Sequence, residues 1–143
     1  MARKPETQFI SGVHKYLPSG IYHMKNHNAY VAGIADVWYS GTPFDLWAEY
    51  KYVPAKRPQV PVVPNLSIQQ LRWITDRKHE GRNVWVIVGC ESGGVIFHTE
   101  EYLTQGMPPP LFLQRLLTRK QIALEISTFC SGAFIHATSE CTT

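Results

Sequence analysis

Cysteine is scarce in this chain: three among 143 residues, at positions 90, 130 and 141. An odd number so widely spaced forms neither a disulfide framework nor a CxxC zinc half-site. A reducing, cytoplasmic setting is the expectation. Long hydrophobic runs are missing as well. The longest is Val84–Val88, far short of the ~20 residues of a membrane-spanning helix. The opening MARKPETQ has basic residues with no apolar stretch behind them, so no secretory signal is expected. Neither GxxxxGKS/T nor GxGxxG occurs, which leaves a nucleotide cofactor without support. The six histidines form no HExxH, and no structural zinc site is expected. A large charge of one sign is also absent. The net charge of +3 is a mild bias toward anionic partners. The pI of about 8.8 falls short of the ~9 expected of a dedicated nucleic-acid binder.

What is present suffices for a packed core. Hydrophobic residues make up 44% and charged residues 17%, so composition does not imply disorder. The length fits one domain over 1–143, with a core at about 6–98 and a helical extension at about 99–143. From Glu6 to Leu17, apolar residues at Phe9, Ile10, Val13, Tyr16 and Leu17 suit a helix face. Ile21–Lys25 reads as a short strand. Gly33–Tyr39 and Asp45–Val53 read as two strands of a hairpin around Ser40-Gly41-Thr42-Pro43. Pro54–Pro64 carries four prolines and reads as an extended loop. Leu66–Glu80 is a predicted helix with Ser67 as N-cap and Gly81 just beyond its end. Val84–Val88 is a buried strand by its unbroken apolar character. Gly93-Gly94 turns the chain into a strand at Val95–His98, and residues 111 to 130 are predicted helical. The predicted fold class is α/β (α+β): a mixed sheet flanked by helices.

The hairpin carries the chemistry. With a four-residue loop at Gly41–Phe44, Ser40 faces Asp45 and Trp38 faces Trp47. Asp36 then faces Glu49, and Ile34 faces Lys51. Opposed side chains share a sheet face, and strand periodicity puts Glu49 and Lys51 on one face as well. Opposed carboxylates repel, and a divalent metal would relieve them. Mg²⁺ is held by one or two carboxylates with waters and substrate phosphate. It polarises phosphate and acidifies water, while Lys51 would stabilise the charged transition state. The competing reading is a solvated sheet face on which Lys51 neutralises both acids.

The arrangement Gly33-Ile34-Ala35-Asp36, then Glu49-Tyr50-Lys51, resembles the PD-(D/E)xK nuclease superfamily, with Ala35 in place of the signature proline. The resemblance implies a restriction-endonuclease-like core of order αβββαβ, matching the order read from Glu6 to Val88. It implies catalytic roles for Asp36, Glu49 and Lys51. It also implies a metal-site acid on the first helix, where Glu6 is the one candidate. The alternative for Glu6 is a first-turn acid favoured by the helix dipole. Ser67-x-x-Gln70 resembles the pattern of the VRR-NUC and Holliday-junction-resolvase-like branch, and points to Gln70 more than Gln69. The alternative for Gln70 is an exposed helix residue. Small stand-alone members of this branch, many from bacteriophage and archaea, cut branched DNA as homodimers. The resemblance therefore implies an endonuclease using Mg²⁺, with Mn²⁺ as a substitute, on four-way (Holliday) junctions. Flap, single-strand or duplex cleavage and a non-catalytic DNA-binding module are the alternatives.

His23, Lys25 and Asn26 before the hairpin, and Lys56 and Arg57 after it, are candidate DNA-binding residues. Each is also read as an ordinary surface residue. Arg72, Arg77, Lys78 and Arg82 read as a solvated helix face. Gly89-Cys90-Glu91-Ser92-Gly93-Gly94 superficially resembles the nucleophile loop of trypsin-like proteases. A tight turn between two strands explains it, with Cys90 as buried packing.

Overall fold

The computed structural model describes residues 4–26, 32–54 and 58–132. Helix α1 (Pro5–His14) starts with proline in its first turn and buries Phe9, Ile10 and Val13. Strands β1 (Tyr22–Lys25), β2 (Val37–Ser40) and β3 (Asp45–Tyr52) follow, then helix α2 (Ile68–His79). Strands β4 (Val84–Cys90) and β5 (Gly93–Phe97) complete the sheet. Three helices follow: α3 (Glu100–Gln105), α4 (Pro109–Gln114) and α5 (Arg119–Cys130).

The strands lie in the order β1-β2-β3-β4-β5. All neighbours are antiparallel except β3 and β4, which are parallel. A parallel pair needs a crossover connection, and α2 supplies it. α1 and α5 cover one face, where Phe9, Val13, Ile122 and Ile126 meet Val37, Tyr39, Leu46, Tyr50 and Ile87. On the other face Ile74 of α2, Leu103 and Phe112 meet Val84, Val86, Val88 and Phe97. β4 is therefore buried on both sides, which is why Val84–Val88 is apolar without alternation.

α2 begins on a closed capping box. Ser67 Oγ accepts from the Gln70 amide at 3.1 Å, and Gln70 Oε1 accepts from the Ser67 amide at 2.9 Å. Gly81, at φ +85°, follows the helix end as expected. The Ser-x-x-Gln pattern thus has a local physical cause.

Several boundaries differ from expectation, most by one or two residues, and four differences have a local cause. The first helix stops at His14 rather than Leu17, where a turn leads to Pro18. Residues 33–36 lie outside β2. Gly33, at φ +92°, presses on α2, where a Cβ would come within 2.5 Å of the Gln69 carbonyl oxygen. Gly93 and Gly94 belong to β5, and the tight turn is Glu91-Ser92, with Cys90 buried beside it. The helix expected over 111–130 is two helices. Between them Leu117 exchanges backbone hydrogen bonds with Gly94 at 2.8 and 2.9 Å, which pulls the chain out of helical geometry. α3 has too few residues for a readable period.

Candidate active site

The β2–β3 register is the one a four-residue loop dictates: Trp38 pairs with Trp47 and Ser40 with Asp45. The ladder ends at Val37–Ala48, one step short of Asp36. Asp36 continues it by other means. Its Oδ2 accepts from the Tyr50 amide at 2.9 Å. Its carbonyl accepts from the Asn26 amide at 2.7 Å. The side chain takes a backbone bond that a further strand residue would have made, so Asp36 is held from both sides. The expected Ile34–Lys51 pair does not form, because the chain at 33–35 has already left the sheet toward α2.

Glu49 is the one charged side chain buried among the described residues, at 1% exposure. Burial raises its pKa, and the hydrogen bond and charge of Asp36 raise it further. Lys51 works in the opposite sense and Glu6 in the same one. A like charge beside a desolvated carboxyl favours the protonated form, so Glu49 holds its proton to higher pH than a free carboxyl. Gln70 Nε2 lies 3.5 Å from Glu49 Oε2, at the limit of a hydrogen bond. The oxygen end of the same amide is committed to the capping box, so the cap aims the NH₂ group at Glu49. Glu6, half-buried at the start of α1, also has a raised pKa. Burial is the main cause and Asp36 the next, opposed by Lys51, Lys25 and Lys4. Glu6, Asp36, Glu49 and Lys51 thus act on one another electrostatically. Among the described residues no group of three His, Cys, Asp or Glu side chains is arranged to hold a metal ion.

Beneath the patch runs a buried chain of hydroxyls. Tyr50, between Glu49 and Lys51, turns to the opposite face, where its OH meets the Tyr39 OH at 2.5 Å. Tyr39 OH in turn meets His14 Nε2 at 2.7 Å. Burial raises the pKa of both tyrosines. It lowers that of His14 to about 4, helped by His23 and Lys25. This link from α1 to the Asp36 anchor is not readable from the sequence. The available signals are two tyrosines on core-facing strand positions and a histidine ending a helix. The unfolded chain protonates His14 near 6.5, whereas the folded chain resists until about 4. Stability should therefore fall as pH drops through that window and be retained above it. Urea midpoints at about pH 7 and about pH 5 would check this. The drop should be smaller in His14→Gln, and an equal drop in both proteins would remove His14 as its source.

The other candidates are dispersed. His23 and Lys25 pair with Tyr39 and Val37, on the face away from Glu49 and Lys51. His23 lies against His14, with ring centroids 4.2 Å apart. Asn26 lies next to Asp36 through its backbone. Lys56 and Arg57 lie outside the described residues. The solvated face expected for the helix cations holds for Arg72 and Arg82, whereas Arg77 is half-buried and pairs with Glu80 at 2.8 Å, and half-buried Lys78 donates to the His98 carbonyl at 3.0 Å.

No family model matches the chain, and no curated protein matches it. Among solved structures it is similar to the 1.6 Å structure of Archaeoglobus fulgidus Hjc, a Holliday junction resolvase from an archaeal hyperthermophile. The TM-score is 0.54 at 16% identity, over 82% of this chain and 96% of that one. At that identity the likeness shows a shared fold. The expected α+β architecture, a mixed sheet flanked by helices, is the one found. None of the described helices is long and apolar enough to cross a membrane.

Proposed function

We propose that this protein is a divalent-metal-dependent endonuclease that hydrolyses phosphodiesters of branched DNA, four-way junctions foremost. One observation carries the reading. A buried Glu49 sits beside a half-buried Asp36, with Lys51 on the same face and Gln70 at the Glu49 carboxyl, on a fold similar to that of a Holliday junction resolvase.

The donor set fits a hard cation. It is all oxygen, and the buried Glu49 lacks a full counter-charge of its own. Mg²⁺ needs one or two protein carboxylates rather than three and keeps waters for the rest. Mn²⁺ takes oxygen donors too and would substitute. Asp36 and Glu49 would hold the ion, with Glu6 on its flank. When bound, such an ion draws charge from phosphate oxygens and acidifies water. The chain's own groups do the positioning. The Tyr50 amide sets the Asp36 carboxylate through its 2.9 Å bond. Gln70 orients Glu49, an outer contact of the kind that tunes ligand geometry. Lys51 donates to the phosphate oxygen that gains charge in the transition state.

A junction has two symmetric strands to cut, which a C2 homodimer would meet with two equivalent sites. Branch shape and phosphate contacts would select the substrate, rather than base edges. The Ser67-x-x-Gln70 pattern supports a place in the VRR-NUC branch. An enzyme of this kind works inside the cell.

The test is a labelled four-way junction beside a linear duplex of the same sequence, with Mg²⁺ and with EDTA. Junction-only cutting that needs Mg²⁺ is the expected result. Equal cutting of both would leave a nuclease without junction preference. No cutting of junction, duplex, flap or single strand, by protein shown to be folded, would leave a DNA-binding module.

A further inference from the structure

A cleft of about 380 Å³ lies between α1, the β4–β5 turn and the start of α5. Lys15, Arg119 and Lys120 line it, with Glu91, Ser92 and Thr118. Three cations thus face one carboxylate. Among the described residues none of the three has an acidic group within ion-pair distance. A concave surface with surplus positive charge draws and concentrates an anion.

Arg119 is fixed in place by the fold. Its guanidinium carbon sits 5.5 Å from the centre of the Phe9 ring. Its stem crosses α1 at Gly12, where a Cβ would come within 2.7 Å of Arg119 Cδ. Glycine there permits the crossing. A guanidinium held against a ring and crossing α1 at Gly12 has little side-chain freedom left to lose on binding, and its N–H donors suit a phosphate. The first turn of α5 adds its own donors. The Thr118–Gln121 capping box occupies the Thr118 and Gln121 amides. The Arg119 and Lys120 amides are left as the unpaired donors of that helix end.

The position matters as much as the charge. Glu6 begins α1 beside the patch and Lys15 follows its end, a span of roughly 13 Å at ~1.5 Å per residue. The Glu91-Ser92 turn continues β4 just past Val88 and Gly89, which pair with Lys51 and Tyr52. Cleft and patch therefore lie toward the same end of the sheet, the cleft on the face that α1 and α5 cover and Glu49 and Lys51 on the other.

We propose that this cleft is a second phosphodiester-backbone site, which grips the DNA a few phosphates away from the one at Asp36, Glu49 and Lys51. The inference rests on the nuclease reading above and gives that site a second point of register. Two backbone anchors would decide which phosphate reaches the carboxylates, as non-specific contacts set the orientation of a duplex.

The test is DNA binding in EDTA by protein carrying Asp36→Asn, so that no cleavage is needed for the readout. In that background, Lys15→Gln with Arg119→Gln and Lys120→Gln should weaken binding about 10- to 100-fold near 0.1 M salt. The slope of log affinity against log salt should fall by up to about 2.7, at ~0.9 for each of three phosphates no longer neutralised. Arg119 packs on Phe9, so a second variant leaves it intact: Lys15→Glu with Lys120→Glu should weaken binding in the same direction. With Asp36 restored, either variant should raise KM for junction cleavage and leave the saturated single-turnover rate within about twofold. Unchanged affinity and slope in both folded variants would overturn the cleft. The expected loss of affinity, in a protein whose wild type cuts no DNA, would keep the cleft and sink the nuclease.

Discussion

Asp36→Asn and Lys51→Ala should each leave a folded protein that binds a four-way junction but cuts it roughly 10³-fold more slowly in Mg²⁺, a loss typical of removing one transition-state interaction. The two variants fail for different reasons. An asparagine in place of Asp36 would still accept the Tyr50 amide bond, so the anchor at 2.9 Å survives while the negative charge is lost. Metal affinity should drop, and excess Mn²⁺ should restore part of the rate. Lys51 is half-buried at the end of β3 and holds no carboxylate within ion-pair distance among the described residues. Its removal should leave metal binding nearly intact, and no metal should restore the rate. Single-turnover cleavage of labelled junction separates these outcomes from effects on binding. If both variants lose the folded state by circular dichroism, the trio is a structural network instead.

Glu49→Gln should do two opposite things: abolish cleavage and stabilise the metal-free protein. The unfolded chain releases the Glu49 proton near 4.5, whereas the folded chain holds it to higher pH because the group is buried beside Asp36. Between those two values unfolding releases a proton. Metal-free stability therefore falls as pH rises through that window, and the contribution is fully present only below the ordinary carboxylate value. Glutamine keeps the shape and removes the titration. At about pH 8 the variant should gain on the order of 1–3 kcal/mol over wild type, and the difference should vanish near pH 4. That gain corresponds to about 2–4 °C in Tm per kcal/mol for a chain of this size. Saturating Mg²⁺ should reverse the ranking, since a ligand at 100 times its Kd adds about 2.7 kcal/mol to the form that binds it. Thermal melts of both proteins at the two pH values, with EDTA and with Mg²⁺, give the comparison. A variant less stable at every pH, beside a wild type indifferent to Mg²⁺, would mean that Glu49 is held for structure.

Stability opposed to function also describes the rest of the site. A buried acid beside a second acid weakens a fold that has no use for the charge. The surrounding structure supplies several compensations: the Tyr50 amide on Asp36, the Gln70 amide near Glu49 and Lys51 on the same face. The hydroxyl chain from His14 through Tyr39 to Tyr50 braces the opposite side of the same strand.

Much of this molecule follows from local rules. The hairpin register needed only a four-residue loop and a period of two, and it brings Trp38 to Trp47 and Ser40 to Asp45. Ser67, Gln70 and Gly81 bound α2 by capping chemistry within a few residues of each end. The apolar run at Val84–Val88 marks the strand buried on both faces, and the αβββαβ order follows from these periods. Tertiary structure decided the remainder, because it depends on segments that are distant along the chain. β2 starts only at Val37 because Gly33 is drawn against Gln69, which turns Asp36 from a ladder residue into a side-chain acceptor for Tyr50. The C-terminal helix is split because Leu117 finds Gly94, over 20 residues earlier. Glu49 is buried because α2 closes over it, and no pattern within β3 separates a buried acid from a solvated one. The basic cleft joins Lys15, Ser92 and Arg119, which share nothing in sequence. Periodicity and capping act over one or two turns of chain, whereas burial and charge coupling act through space, and only the folded arrangement sets those distances.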